Sequence, residues 1–274
     1  MKRIAGIWKT HLAILLFGLS GPLSVCIGLP AMDLSMGRSL IAALALLLFI
    51  RPAWAALKQG MKDHWPSGLL LAFHWFGFFH ATIEGSVAWG LLSYATYPLW
   101  TILFSRISER SWPDKKELSS VALILLGTFL LVKEDVEVLG QEVILIGLAS
   151  AAAFALLQLR NAGFMKQEKS LNLAAYQMLW AGLFLIPFSS LSSFQLAPFE
   201  WSLFLFHGLI ITAFSYSLFL SGLREIGKNK ASYIAALEPV YGLLIAMVLL
   251  GTIPSWIQCI AAVLILIPSF LKGN

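Results

Sequence analysis

Charged residues are scarce in this chain of 274 residues: 12% are Asp, Glu, Lys or Arg, while 59% are hydrophobic. Soluble globular domains carry about 25% charged residues, so a soluble fold of this size would leave too much apolar surface in water. The two cysteines, Cys26 and Cys259, both lie in apolar runs, which argues against a disulfide framework or a zinc site. The composition therefore predicts a polytopic membrane protein.

The sequence motifs of several enzyme classes are missing. No Walker A run is present to hold a nucleotide phosphate, and neither His-Glu-x-x-His nor Gly-x-Ser-x-Gly occurs. No pair of aspartates lies within apolar runs, as an intramembrane aspartyl protease would require. The net charge of +5 does not indicate nucleic-acid binding, because Lys and Arg fall in short clusters between apolar runs.

Apolar runs of about 17–25 residues are typical of membrane-spanning helices. The first run follows Lys2 and Arg3 and resembles a signal peptide, but no clean small-x-small cleavage site follows it, so we predict a retained span. Ten spans are predicted, at residues 11–28, 34–50, 67–83, 87–105, 117–133, 142–160, 172–190, 201–221, 231–250 and 256–271.

The distribution of basic residues predicts the orientation of these spans. If the N-terminus lies in the cytoplasm, every Lys and Arg except Arg38 and Lys133 falls in a cytoplasmic segment. The external link between spans five and six is then crowded with acidic residues: Glu134, Asp135, Glu137 and Glu142. The pattern predicts a multi-pass protein of a bacterial cytoplasmic (inner) membrane with both termini in the cytoplasm.

Two apolar runs, residues 86–106 and 230–251, share a feature that suggests an internal duplication. Each contains a proline within a helix-length stretch, Pro98 in the first and Pro239 in the second. Each follows a short polar break and precedes another apolar run. We interpret them as equivalent helices of two copies of one unit.

The neighbouring spans extend this duplication over the whole chain. Aligning the second span of each copy places Arg38 against Gln177. Residues 1–137 are predicted to form a first five-helix repeat and residues 138–274 a second, within a single membrane domain. Five spans per copy would turn the second copy over in the membrane, and such inverted repeats place the binding site near the midplane between them.

This layout resembles the drug/metabolite transporter superfamily, specifically its ten-helix EamA-type carriers. The resemblance covers essentially the whole chain and rests on Arg38 in the second span, LSYATYPLWTIL in the fourth and ALEPVYGLLIAMVLLG in the ninth, followed by WIQCIAAVLILIP. The chain departs from the family where Gly251-Thr252 replaces the usual Gly-Glu pair.

The resemblance implies an all-α membrane protein of ten transmembrane helices arranged as two inverted five-helix repeats. It also implies a secondary transporter that moves a small organic metabolite, an amino acid or a related amphipathic solute, by alternating access, and it favours export over uptake. The implied partners are this small-molecule substrate and the lipid bilayer, with protons as a candidate coupling ion. We expect a monomer or a weak homodimer, with no cofactor, metal or catalytic residue.

Glu238 is the only carboxylate well inside an apolar run. It lies about 12 Å along its span at 1.5 Å per residue, and an ionisable group at that depth is a functional hypothesis by default. Glu238 could bind an ammonium group of the substrate or exchange a proton. A structural role, in which it bridges helices or caps the carbonyl freed by Pro239, remains open.

Arg38 lies about one turn inside the second span, near the predicted outer face. Its guanidinium could hold a carboxylate of the substrate in bidentate fashion. Alternatively, Arg38 anchors the helix by reaching the outer interface or by pairing with Asp33.

The third span contains three titratable residues, His74, His80 and Glu84. His80 and Glu84 are four residues apart on one helical face and could share a proton near the outer mouth, as proton or gate residues. His74 lies deeper and is a candidate for the cavity wall. The same three residues allow a rival hypothesis, an integral-membrane enzyme that acts on a lipid-linked substrate; a non-transporting receptor or scaffold is a third.

Aromatic rings and hydroxyl groups cluster around the two predicted helix bends at Pro98 and Pro239, which are candidate gating hinges. A midplane site lined by rings, hydroxyls and one carboxylate would suit a small amphipathic or aromatic solute. The predicted lining residues near the prolines are Tyr94, Tyr97, Trp100 and Tyr241.

Overall fold

The computed structural model describes residues 2–135, 139–164, 169–227, 231, 234–235 and 237–271. Every regular element within these ranges is helical, and no strand occurs in them. The predicted boundary between the two repeats, at residues 137 and 138, lies outside the described residues, and so does part of the start of the predicted ninth span.

The helices follow one another through short connections, and two spans also contain π-helical turns, at Ala81–Gly85 and His207–Phe214. The α-helices are α1 (Lys2–Ile27), α2 (Ala31–Ile50), α3 (Trp54–His80), α4 (Val87–Tyr94), α5 (Tyr97–Glu109), α6 (Lys115–Asp135), α7 (Gln141–Phe164), α8 (Ser170–Leu185), α9 (Pro198–Phe206), α10 (Ser215–Ile226), α11 (Glu238–Leu250) and α12 (Trp256–Leu271).

Several of these helical segments can cross a bilayer. Six are long and apolar enough by themselves: Arg3–Ile27, Ala31–Ile50, Val87–Glu109, Gln141–Phe164, Ser170–Phe188 and Pro198–Ile226. Two shorter apolar helices cover Glu238–Leu250 and Trp256–Pro268. Large apolar side chains such as Phe49, Val248 and Ile253 are exposed on the surface, as expected for a surface solvated by lipid. The chain is therefore an all-helical membrane protein, while the count of ten spans remains a prediction.

The helices of the two predicted halves pack against each other in corresponding pairs. Helix α1 packs on α10, and α3 packs on α7; α2 packs on α8, α4 on α11 and α6 on α12. Helix α1 also packs on α11, and close approach there depends on glycine: a Cβ on Gly18 of α1 would lie 2.9 Å from the backbone nitrogen of Gly242 in α11. Small residues at such crossings let helices associate by van der Waals packing in lipid.

The predicted fourth span is a broken helix. Helix α4 ends at Tyr94, Ala95 and Thr96 form a turn, and α5 begins at Tyr97 with Pro98 in its first turn. Proline is well tolerated at this position because the first backbone N–H groups of a helix have no partner within it. Pro98 therefore starts a helix, where the sequence predicted a bend inside one.

Pro239 occupies the same position in the second half. Helix α11 begins at Glu238, directly after a turn at Leu237, and Pro239 lies in its first turn. Both prolines thus lie where a half-helix begins inside the protein. Their role as gating hinges remains a prediction, because this geometry does not test it.

A candidate solute cavity between the helices

A cavity of about 40 Å³ lies where α1, α2, α3, α4, α7, α10 and α11 meet. Since one buried water needs about 10–15 Å³ of such volume, the cavity can hold about three water molecules but no organic solute. Its polar lining residues are Ser20, Arg38, His74, Tyr94, Tyr216 and Glu238, and its aromatic lining residues are Phe17, Trp75, Phe78 and Phe154.

Glu238 reaches this cavity because the break before α11 places it at the helix start. Its side chain is 5% exposed, and one carboxyl oxygen has no hydrogen-bond partner among the described residues. The Tyr94 hydroxyl lies against the carboxyl group. A carboxylate in the first helical turn also interacts favourably with the unpaired N–H groups there. Glu238 is thus held at the cavity wall with capacity for a further donor.

Arg38 enters the cavity from α2 and is 3% exposed. Its Nε donates a hydrogen bond to Thr212 Oγ1 (2.8 Å), and its Nη1 donates to Ser20 Oγ (3.5 Å). The guanidinium carbon lies 4.4 Å from the ring centre of Trp75 and 4.8 Å from that of Phe79, within cation–π range. The cation is therefore fixed inside the protein by two hydroxyls and two rings.

This position makes the interpretation of Arg38 as an interfacial anchor wrong. Asp33, its suggested partner, instead accepts hydrogen bonds from Ser189 Oγ (2.5 Å) and from the Ser190 backbone nitrogen (2.7 Å). Arg38 and Glu238 lie close enough to interact electrostatically. Neither forms an ion pair with any described residue, so each charge remains available to a ligand.

His74 and Tyr94 form the aromatic side of the cavity. His74 is buried, with its Nδ1 2.9 Å from Ser150 Oγ, and Ser150 Oγ donates to the His74 carbonyl (2.8 Å). The Tyr94 ring lies 5.5 Å from that of His74 and stacks at 5.5 Å on Tyr97, which lies one layer behind. Phe154 packs against all three rings. Burial and the Ser150 hydrogen bond fix His74 as part of the wall.

The remaining residues proposed from the sequence lie apart from the cavity. Tyr241 points toward α1, where its hydroxyl is 3.4 Å from Nδ1 of His11. Trp100 stacks on a neighbouring ring of α5, and Glu84 is exposed in the π-helical turn. No hydrogen bond joins His80 to Glu84 within the described part of the chain, and neither residue lines the cavity.

The structure adds polar residues that the sequence reasoning missed. His207 is fully buried, and its Nε2 lies 3.2 Å from Ser20 Oγ. Thr212 Oγ1 donates to the His207 carbonyl (2.8 Å) across the π-helical turn. We call Ser20, Arg38, His207 and Thr212 the arginine cluster. The sequence signal that could have found this cluster was His207, an ionisable residue inside an apolar run.

A second polar group adjoins the cavity through Tyr216. Tyr216 donates a hydrogen bond to Gln177 Oε1 (2.7 Å), Gln177 Nε2 donates to Asn161 Oδ1 (2.7 Å), and Asn161 Nδ2 donates back to the Tyr216 hydroxyl (3.3 Å). The three buried side chains form a closed ring of hydrogen bonds. We call them the amide cluster. Tyr216 also contacts Trp75 edge to face, with ring centres 6.1 Å apart.

The charged groups at this cavity are suited to binding a ligand. A guanidinium forms charge-assisted hydrogen bonds with a carboxylate, and a buried carboxylate can do the same with an ammonium group. No group of three or more metal-ligating side chains occurs in the part of the chain that the structure describes.

Comparisons with known proteins agree with the architecture. Residues 141–271 match the EamA-like transporter family. The chain is 27% identical over 271 residues to the "Uncharacterized inner membrane transporter YicL" of Salmonella typhimurium, covering 92% of this chain and 90% of that protein. A solved crystal structure shares the fold, with a TM-score of 0.69 and 18% identity over 99% of this chain and 96% of its own.

These matches bear on the rival hypotheses drawn from the sequence. They favour transport over the integral-membrane enzyme that would have used His74, His80 and Glu84. The resemblance read from the sequence is thereby confirmed as a similarity: residues 141–271 resemble the EamA-like transporter family, and most of the chain resembles a protein named as an inner membrane transporter.

Proposed function

We propose that this protein is a secondary carrier for a small zwitterionic solute, an amino acid or a close relative, and that it exports this solute across the bacterial inner membrane by alternating access. The observation that carries the proposal is the pair of opposite charges, Arg38 and Glu238, both buried and both facing one cavity. Burying an unpaired charge is costly, so two unpaired charges at one cavity favour a ligand that neutralises both.

In this proposal the two charges hold the two ends of the solute. Arg38 binds the carboxylate through the guanidinium nitrogens left over from Ser20 and Thr212. Glu238 binds the ammonium group, supported by the Tyr94 hydroxyl. Tyr94, His74 and the neighbouring rings contact the apolar part of the solute, which suits an amphipathic side chain. A proton on Glu238 in the solute-free state is the candidate coupling ion.

The size of the cavity supports a mechanism with at least two conformations. About 40 Å³ is too small for any amino acid, so the solute must enter and leave through states in which the helices have moved apart. The corresponding helix pairs of the two halves, α1 with α10 and α3 with α7, support an inverted five-helix repeat that rocks around this point. The basic clusters support cytoplasmic termini.

The test is a matched set of ligands offered to the purified protein. Phenylalanine carries both charges, phenethylamine lacks the carboxylate and 3-phenylpropionate lacks the ammonium group. Because a ligand of the native state raises the unfolding temperature by mass action, we expect a zwitterion from the twenty amino acids to raise it and both one-charge analogues of that amino acid to fail. Equal shifts with a one-charge analogue, or none with any amino acid together with no flux in proteoliposomes, would contradict the proposal.

A further inference from the structure

Some residues of the arginine and amide clusters align between the two predicted repeats. In the register that aligns Pro98 with Pro239, Ser20 aligns with Asn161 and Trp75 aligns with Tyr216. Arg38 aligns with Gln177 when this register is shifted by two residues. Ser20 and Arg38 belong to the arginine cluster, and Trp75 packs on the Arg38 guanidinium; Asn161, Gln177 and Tyr216 form the amide cluster. The other two members of the arginine cluster, His207 and Thr212, come from the second predicted repeat.

The two clusters also lie at similar depths from opposite faces of the molecule. Arg38 and Gln177 each lie about 10 Å along the axis from the first residue of their helices, α2 and α8. In the proposed orientation α2 begins at the outer face and α8 at the cytoplasmic face. The arginine cluster thus closes the cavity toward the outside, and the amide cluster closes it toward the cytoplasm.

Tyr216 is the link between the amide cluster and the cavity. Its ring lines the cavity and packs on Trp75, while its hydroxyl is bound by both Gln177 and Asn161. These three side chains come from α10, α8 and α7, so the hydrogen-bond ring ties three helices together on one side of the cavity. Opening that side requires the ring to break.

We propose that the Asn161–Gln177–Tyr216 ring is the cytoplasmic gate of the cavity and that the Arg38–Ser20–Thr212 contacts are its outer counterpart. In the conformation described here both gates are closed, which explains why the cavity is too small for a solute. The two gates differ in chemistry. The outer gate contains a positive charge that can bind a carboxylate, whereas the cytoplasmic gate is neutral and its side chains hydrogen-bond one another. This inference rests on the proposed alternating access but is independent of the solute.

The experiment measures access to the cavity from each face of the membrane. In a chain with Cys26→Ser and Cys259→Ser, the lining residue Phe17 is replaced by cysteine. A sulfonated, membrane-impermeant maleimide is then added to right-side-out or inside-out vesicles without any solute. Tyr216→Phe removes one hydroxyl and keeps the ring, so we expect labelling from the cytoplasmic face to rise about fivefold, as for the loss of one hydrogen bond, and labelling from the outer face to stay unchanged.

A second variant and two controls keep the result interpretable. Asn161→Ala should raise the same cytoplasmic labelling, and the combination with Tyr216→Phe should be less than multiplicative because both break one ring. Gln158→Ala, an amide on α7 with no hydrogen-bond partner among the described residues, should leave the labelling unchanged. Tyr176→Phe on α8 removes a hydroxyl that donates to the Ala56 carbonyl (3.4 Å) outside the amide cluster, and it should also leave the labelling unchanged. Arg38→Gln should raise labelling from the outer face.

Any other labelling result would contradict the proposal that the amide cluster is the cytoplasmic gate. Equal increases at both faces would mean that the amide cluster only stabilises the fold, and no increase would mean that it does not bar the cavity. Neither result depends on ligand binding. A failure of the gate is therefore distinguishable from a failure of the zwitterion proposal, which the ligand set tests separately.

Discussion

The two helix breaks of this protein use the same backbone device with different side chains. Tyr97 precedes Pro98 at the start of α5, and Glu238 precedes Pro239 at the start of α11. The first break stacks a phenol behind Tyr94, whereas the second brings a carboxylate to the cavity. The backbone geometry of the two breaks is thus alike while their side-chain chemistry differs.

The second helices of the two predicted halves also differ in charge, and here the charged residue lies in the first half. Helix α2 carries a cation at Arg38, and α8 carries the neutral Gln177 at the corresponding place. The first half therefore supplies the positive charge of the cavity and the second half supplies the negative charge of Glu238. The cavity is therefore asymmetric in charge, and such a site can orient a ligand that has two unlike ends.

The largest expected effect comes from removing the negative charge of the second half. Glu238→Gln keeps the shape of the side chain but cannot neutralise an ammonium group, so flux in proteoliposomes should fall at least about a hundredfold. Glu84→Gln, a carboxylate exposed in the π-helical turn, should leave flux unchanged. Normal flux in Glu238→Gln would show that transport does not need the carboxylate. The difference between Tyr97 and Glu238 at the two breaks would then have no consequence for transport.

Replacing Arg38 by the residue of its counterpart should have the next largest effect. Arg38→Gln removes the charge-assisted bonds to the solute carboxylate, so the solute concentration for half-maximal flux should rise about tenfold to a hundredfold. Arg51→Gln, at the exposed end of the same helix, is the matched control. An unchanged concentration dependence would show that the solute needs no cation from α2.

The two prolines should have equal and smaller effects if they act as equivalent hinges. Pro98→Ala and Pro239→Ala each restore an N–H group and let the helix extend through the break, so each should slow flux about fivefold without changing solute affinity. Rates and affinities measured in the same proteoliposomes separate the two quantities. A large effect of one proline and none of the other would break the equivalence of the two turns.

The smallest effect should follow from Tyr97→Phe, at the position that corresponds to Glu238. The phenyl ring can still stack on Tyr94, so flux should fall less than about threefold. A loss as large as that of Glu238→Gln would mean that the Tyr97 hydroxyl acts in transport. The two breaks would then share chemistry as well as backbone geometry.

The sequence located the main residues of the cavity for a physical reason. Glu238, Arg38 and His74 are ionisable groups inside apolar runs, and burial of such groups in a membrane is costly enough to be rare without a function. The structure brings all three to one cavity together with Tyr94. Their roles in transport remain predictions.

The sequence could not select among the less costly polar residues. Ser20, Thr212 and Asn161 are small enough to hydrogen-bond their own helix, so their presence in an apolar run carries little information. Tyr241 and Trp100 were expected at the cavity because they lie near the prolines, but the helical rotation at those positions turns them elsewhere. The sequence also did not show that α5 and α11 begin at the prolines; only the backbone of the structure shows this.

The sequence alone therefore determined that this chain lies in a membrane, and it also indicated the transporter class, because composition and apolar length leave few alternatives. Only the tertiary structure decided which side of each helix faces the cavity. Lipid and protein interior are equally apolar, so these helices show no polar face that would mark the inward side. The cavity, its two clusters and the presence of both Arg38 and Glu238 at its wall arise from contacts between residues far apart in the chain.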